Sequence, residues 1–188
     1  MSMGSMGRQA VLDSPPMFSQ YIPVIMRVVH LIHGLPGTGK TTFARRLEKE
    51  TGAVCLSHDE CMTALFGNDP PADRFQDYAD RINVLIWMQT QQFISHGVDV
   101  ILDHGFWSRS SRDEARMRVR AMGAEARFYE MLCTNEVADA RVLRRSERLM
   151  PGVLSINQAA LDGFRARFEL MGDDEPAIKI DGNASVVV

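Results

Sequence analysis

The chain has 188 residues, 45% hydrophobic and 24% charged, which is enough for one domain with a full core. Its formal net charge of −3 gives no overall basic footprint for duplex nucleic acid, and no stretch approaches the roughly 18 consecutive apolar residues of a membrane span. Cys55, Cys61 and Cys133 are scattered without a Cys-x-x-Cys spacing, so neither a disulfide framework nor a zinc site is indicated, and reduced thiols in the cytoplasm are expected.

Residues 1–25 differ from the rest. Met1-Ser2-Met3-Gly4-Ser5-Met6-Gly7 is small and Met-rich, Ser14-Pro15-Pro16 follows, and no apolar signal-peptide region is present. The expectation is an extension or tag outside the core, with a single domain over residues 26–188. Val28 to His33 reads as a buried strand. Gly34-Leu35-Pro36-Gly37-Thr38-Gly39-Lys40-Thr41, followed by Thr42, is G-x-x-x-x-G-K-[ST], and a helical pattern begins behind it. Strand, glycine loop and helix are the context in which this P-loop works. The glycines let backbone N–H groups close around a phosphate chain, and the helix N-terminus adds its dipole. Lys40 is expected to reach the β/γ-phosphates and Thr41 to hold Mg²⁺.

A short strand over Ala53 to Leu56 then ends in Ser57-His58-Asp59-Glu60, which caps a helix to about Phe66. Gly67 to Pro71 is loop. Apolar Phe75, Ala79, Ile82, Ile86 and Phe93 predict a long helix from about Asp73 to Ser95. Val98 to Asp103 is a third strand, His104 to Trp107 a loop, and Arg109 to Met122 a charged helix. Ala126 to Leu132 is a fourth strand, two helices follow with a break at Pro151-Gly152, and Ala177 to Asp181 is the last strand. This alternation predicts an α/β domain with a five-stranded parallel sheet covered on both faces, its site at the C-terminal strand ends.

Several residues can carry chemistry. Asp103 ends an apolar strand, the Walker-B arrangement for holding Mg²⁺ opposite Thr41. Asp59 lies where a doubly wound sheet points at the γ-phosphate, so it is the candidate general base for a substrate hydroxyl, or simply a helix N-cap. Glu60 is the weaker candidate. Arg141, Arg144, Arg145 and Arg148 stand three and four apart before Pro151-Gly152. They suit a lid over about 141–155 that closes on phosphates, with Arg144 and Arg148 as the leading pair; the alternative is a solvated helix face. His58, His104, Phe106, Trp107 and Arg109 are candidates for the acceptor side, and Arg112 is a further one.

These motifs together resemble the small P-loop kinases of AAA type, a group similar to the kinase domain of phage polynucleotide kinase, chloramphenicol phosphotransferase and zeta toxins. The resemblance covers roughly residues 26–182. It implies an ATP:hydroxyl phosphotransferase with sheet order 2-3-1-4-5 and a mobile helical lid. It also implies that Asp59 is the base and that a lid arginine pair four apart, matched by Arg144 and Arg148, contacts the ATP phosphates. Polynucleotide kinase has an arginine just before its base where this chain has His58, which argues against a nucleic-acid 5′ end as acceptor.

The expected function is therefore a Mg²⁺-ATP-dependent kinase acting on a hydroxyl of a small molecule such as an antibiotic, sugar or nucleoside. A polynucleotide 5′-hydroxyl kinase is the second reading, and an ATPase or nucleotide switch acting on a protein partner is the third. An Asn-Lys-x-Asp motif for guanine is missing from the sequence, which weighs against a GTPase.

Overall fold

The computed structural model describes residues 26–148 and 154–183. The expectation for residues 1–25 and the break at Pro151-Gly152 lie outside the described residues. In chain order the elements are β1 (Val28–His33), α1 (Lys40–Thr51), β2 (Val54–Ser57), α2 (His58–Phe66), α3 (Phe75–Ser95), β3 (Val100–Gly105), α4 (Arg109–Ala121), β4 (Glu125–Leu132), α5 (Asn135–Arg148), α6 (Gln158–Arg167) and β5 (Ile178–Asp181). The strands form one five-stranded sheet in the order β2-β3-β1-β4-β5, and every adjacent pair is parallel. Parallel neighbours need helical crossovers, and helices on both faces bury the sheet.

The alternation of side chains along each strand separates two cores. Val29, Leu31, Val100, Leu102 and Phe128 face a layer that includes Met62, Ile82, Ile86 and Val119 from α2, α3 and α4. Ile32, Ile101, Tyr129 and Met131 face Phe43, Ala44 and Leu47 of α1. Among the described residues no helix is long and apolar enough to cross a membrane.

Several boundaries move by one or two residues, and the one at the end of the third strand bears on the site. His104 and Gly105 belong to β3 rather than to a loop. The strand continues because Gly105 is in register with His33 of β1 after a shift between Leu31 and His33, and its carbonyl accepts the N–H of Gly34 at 3.3 Å. The effect is to carry Asp103 and its successors to the mouth of the P-loop. Ser57, the last residue of β2, pairs with Asp103, so β2 delivers α2 and its acidic first turn to the same end of the sheet.

Candidate active site

The P-loop spans the gap between β1 and α1. Gly37 and Gly39 have φ of 82° and 95°, a region that side chains rarely adopt. Gly37 is also forced by crowding, since a Cβ there would lie 2.2 Å from the Ala138 carbonyl oxygen on α5. The arginine helix thus rests directly on the loop. Gly39 is the N-cap of α1, no side chain caps that end, and the first turn has no acidic residue. The first N–H groups of an α-helix have no partner within the helix, and here they are left open to an anion.

A cleft of about 120 Å³ opens over this end. Pro36, Gly37, Gly39, Lys40, Thr41 and Thr42 of the loop, Ser57, Asp59 and Glu60 of the β2–α2 corner, Val142 and Arg145 of α5, and Leu154 and Ile156 line it. A larger cavity of about 300 Å³ lies behind the loop among Leu35, Thr38, Met131, Cys133, Arg165 and Phe168. It contains neither Lys40 nor an aspartate, so the smaller cleft is the place for phosphate chemistry. Thr38 faces the larger cavity, and its hydroxyl is spent on Leu35 O at 2.8 Å.

Lys40 Nζ donates to Leu35 O at 2.9 Å, a bond within its own loop. Burial lowers its affinity for a proton, and the negative charges of Asp103 and Asp59 partly restore it. Thr41 Oγ1 donates to Asp103 Oδ2 at 2.6 Å, while Asp103 Oδ1 is buried without a partner. Burial raises the Asp103 carboxyl above its ordinary range, against the lowering by Lys40 and the Thr41 hydroxyl. A hydroxyl and a carboxylate side by side, one oxygen unspent, form a hard-oxygen donor set that fits Mg²⁺. Among the described residues no group of three or more His, Cys, Asp and Glu could hold a metal. A P-loop Mg²⁺ does not need one, because it takes one or two protein oxygens together with water and phosphate.

Asp59 is freed from the capping role. Ser57 Oγ caps α2 by accepting from the Glu60 N–H at 3.4 Å, and Asp59 stands in the first turn with its side chain 62% exposed towards the cleft. The surrounding protein pushes its carboxyl up. The nearby His58 imidazole and the charge of Lys40 outweigh that push, so the net shift is downward. Glu60 is held differently, by Arg45 of α1 through both carboxylate oxygens at 2.5 Å. That pair leaves Asp59 as the unclamped acid at the corner.

The acceptor-side candidates separate. His58 is buried, its Nδ1 lies 3.7 Å from Asp59 Oδ1, and its ring meets the His104 ring edge-on at 4.9 Å. His104 is pushed down to about 3 by burial, with the neighbouring His58 adding to it, so it is a neutral ring. Phe106 is 6% exposed and packs against His104 and Phe128. Trp107 donates its indole N–H to Gly34 O at 3.1 Å and lies against Phe164. Neither aromatic lines the cleft. Arg109 is bonded to Asp113 and Asp174, and Arg112 is buried against Glu175, so both are committed to the fold at the start of α4.

On α5, Arg144 is exposed and does not line the cleft, whereas Arg145 does. The Arg145 Nε is buried without a partner, and burial lowers the guanidinium's proton affinity despite the pull of Asp59. The side chain of Arg148 lies outside the described residues. Arg141, four residues before Arg145, donates to Gly37 O at 3.4 Å and to Gly182 O at 2.6 Å, tying α5 to the P-loop and to the end of β5. Among the described side chains, Arg141 and Arg145 are a pair four apart that meets the loop and its cleft. The signal that points to them is the buried Ala138 and Val142, which fix the inward face of α5; Val142, Arg145 and Arg141 follow Ala138 at helical spacing.

A family profile described as "AAA domain" matches residues 29–171. Comparison with curated proteins finds no match. Among solved structures, the chain is similar to a sugar kinase of Janibacter sp. HTCC2649, with 22% identity over 84% of this chain and 86% of that one and a TM-score of 0.57. It is also similar to a component of the Pnkp1/Rnl/Hen1 RNA repair complex, with 22% identity over 76% of this chain but 44% of that one and a TM-score of 0.63. A third is Chaetomium thermophilum Kti12 in complex with ADP-AlF3, with 14% identity over 81% and 88% of the two chains and a TM-score of 0.60. Identities this low establish the fold.

Proposed function

The chain belongs to the AAA-domain family and has a P-loop kinase-like fold, and from that premise we propose that it is a Mg²⁺-ATP-dependent kinase that phosphorylates a hydroxyl of a small molecule. The observation that carries this reading is Asp59, an acid free of its helix cap, open to the same cleft as Lys40 and held below the ordinary carboxylate range. In a nucleotide switch the same acid would act on water instead, so dependence of turnover on an acceptor separates the two readings.

In the proposed reaction the acceptor oxygen attacks the γ-phosphorus, the bond to the ADP oxygen breaks, and the hydroxyl proton passes to Asp59. Lys40 exchanges the Leu35 carbonyl for phosphate oxygens, a swap of one hydrogen bond for charge-assisted ones. The uncapped N-terminus of α1 receives the phosphate chain. Arg145, already desolvated and with a spare Nε, meets the charge that develops on the transferred group. Thr41 and Asp103 would hold Mg²⁺, which supplies charge neutralisation on the phosphates.

A small acceptor suits this cleft better than a nucleic-acid end. Binding a strand calls for exposed aromatics along a basic groove, and Phe106 and Trp107 are turned into the packing instead. The sugar kinase and the RNA repair component among its structural relatives make sugars and 5′-hydroxyl oligonucleotides the first acceptors to compare, and the Kti12 likeness makes acceptor-free turnover the control. The test is ATP consumption over hydroxylated small molecules and 5′-hydroxyl oligonucleotides, repeated with Asp59→Asn. We expect acceptor-dependent turnover that falls by about 10³-fold in Asp59→Asn, with ATP still bound. Undiminished transfer by Asp59→Asn would remove Asp59 as the base, and ATP turnover indifferent to every acceptor would favour the switch reading.

A further inference from the structure

We propose that Trp107 is a positioning residue of the P-loop, joining Gly34 to α6 and so setting how tightly the loop holds a nucleotide. The first glycine of the motif is gripped at both of its polar groups by the end of β3 and the turn that follows it. Its N–H donates to Gly105 O at 3.3 Å, and its carbonyl accepts the Trp107 indole N–H at 3.1 Å. The turn is shaped for this grip. A Cβ on Gly105 would lie 2.7 Å from Trp107 Nε1, so a glycine there makes room for the indole. Phe106 takes φ 45°, a strained value for a bulky residue, and the strain is held by two donors on its carbonyl. His33 Nδ1 donates at 3.0 Å and Arg112 Nη1 at 3.3 Å.

The other side of the indole faces α6. Its ring lies 5.0 Å from Phe164, with the Arg167 guanidinium 6.0 Å from its centre. The Trp107 carbonyl accepts from the Glu169 N–H at 2.9 Å and from Arg112 at 3.2 Å, so the segment leaving α6 is bonded to the same residue. A displacement of α6 therefore has a direct route to the first residue of the P-loop. Where a loop binds phosphate through backbone N–H groups, its conformation decides affinity.

The inference rests on the nucleotide-binding reading above, but it needs no acceptor to be tested. Calorimetric titration with Mg²⁺-ATP would compare the unaltered chain with Trp107→Phe, which keeps a ring against Phe164 and loses the N–H, and with Phe164→Ala, which keeps the N–H and frees the ring. We expect Trp107→Phe to weaken binding about five- to ten-fold, the worth of one well-placed hydrogen bond, and Phe164→Ala to weaken it in the same direction. Since Trp87 and Trp107 are the two tryptophans, Trp87→Phe leaves Trp107 as sole emitter, and its fluorescence should change saturably with Mg²⁺-ATP. Affinities within two-fold of the unaltered chain in both variants, or emission indifferent to saturating Mg²⁺-ATP, would overturn the proposal. A purely structural role would lower the melting temperature and leave affinity and emission response in place. Should Trp107→Phe not fold, Phe164→Ala and the emission decide. Failure of the unaltered chain to bind Mg²⁺-ATP would instead overturn the nucleotide reading itself.

Discussion

The nucleotide cleft and the corner where β3 meets α4 use the same kinds of residue in opposite ways. In the cleft, bonding capacity is left over. Asp103 Oδ1 and Arg145 Nε are buried without partners, Lys40 leans on a carbonyl of its own loop, and α1 starts without a side-chain cap. At the corner the buried arginine is saturated. The three nitrogens of Arg112 reach both oxygens of Glu175 and the carbonyls of Phe106, Trp107, Glu169 and Leu170. An unpartnered buried polar group costs roughly 1–3 kcal/mol. Arg112 is saturated by seven bonds, whereas Arg145 lines the cleft with its Nε unpartnered.

Breaking the corner should give the largest effect on stability. Arg112→Ala would leave Glu175, whose side chain is 1% exposed, with only the longer contacts to Arg116 at 3.4 Å and Arg109 at 3.6 Å. The expected loss is about 3–5 kcal/mol, read as a drop of roughly 10 °C in melting temperature. An unchanged melting temperature would show that the corner is not held by this pair. The matching change in the cleft should do the reverse. Arg145→Ala is expected to lower kcat about 100-fold with little change in melting temperature, while Arg144→Ala stays within two-fold. If Arg144→Ala proves the more damaging, the inward face of α5 has been assigned wrongly and the contrast between the two regions fails.

The sheet and the phosphate loop were legible because their signals are local. Apolar runs alternating with helical periods give a parallel α/β sheet, and G-x-x-x-x-G-K-T carries its own mechanism. For Asp59 the sequence left base and helix cap open, and the structure gives the cap to Ser57. The arginines were not, because every candidate has the same charge and similar spacing. Arg112 is separated from Glu175 by 63 residues, and Arg109 from Asp174 by 65. No local pattern shows that these guanidinia are already consumed. Trp107 is the same case: its partner Gly34 is 73 residues away, and only the pairing of β1 with β3 brings them together. Spacing along α5 gives Arg141–Arg145 and Arg144–Arg148 equal standing. Tertiary packing, through Ala138 against Gly37, is what brings Arg141 and Arg145 to the loop.

Acid should separate the two regions by a smaller effect. His33 is fully buried and stacks on Phe168 at 4.6 Å. Burial pushes it down to about 4, although the bond to the Phe106 carbonyl opposes the shift. Its unfolded value is near 6.5. Between those values the unfolded chain takes up a proton that the folded one refuses. The stability from His33 is therefore complete above pH 6.5 and is lost as pH falls towards 4. At pH 5 the loss amounts to about 2 kcal/mol. His104, pushed down to about 3, acts in the same direction. Asp59 lies below the ordinary carboxylate range and stays ionised throughout this window. The melting temperature should thus decline from pH 7 to pH 5 while kcat of the folded enzyme shows no acid limb there. His33→Phe keeps a ring for Phe168 and should flatten the decline. A melting temperature constant over that range would mean that His33 accepts its proton in the folded state, and a kcat that falls with it would place a titrating group other than Asp59 at the chemical step.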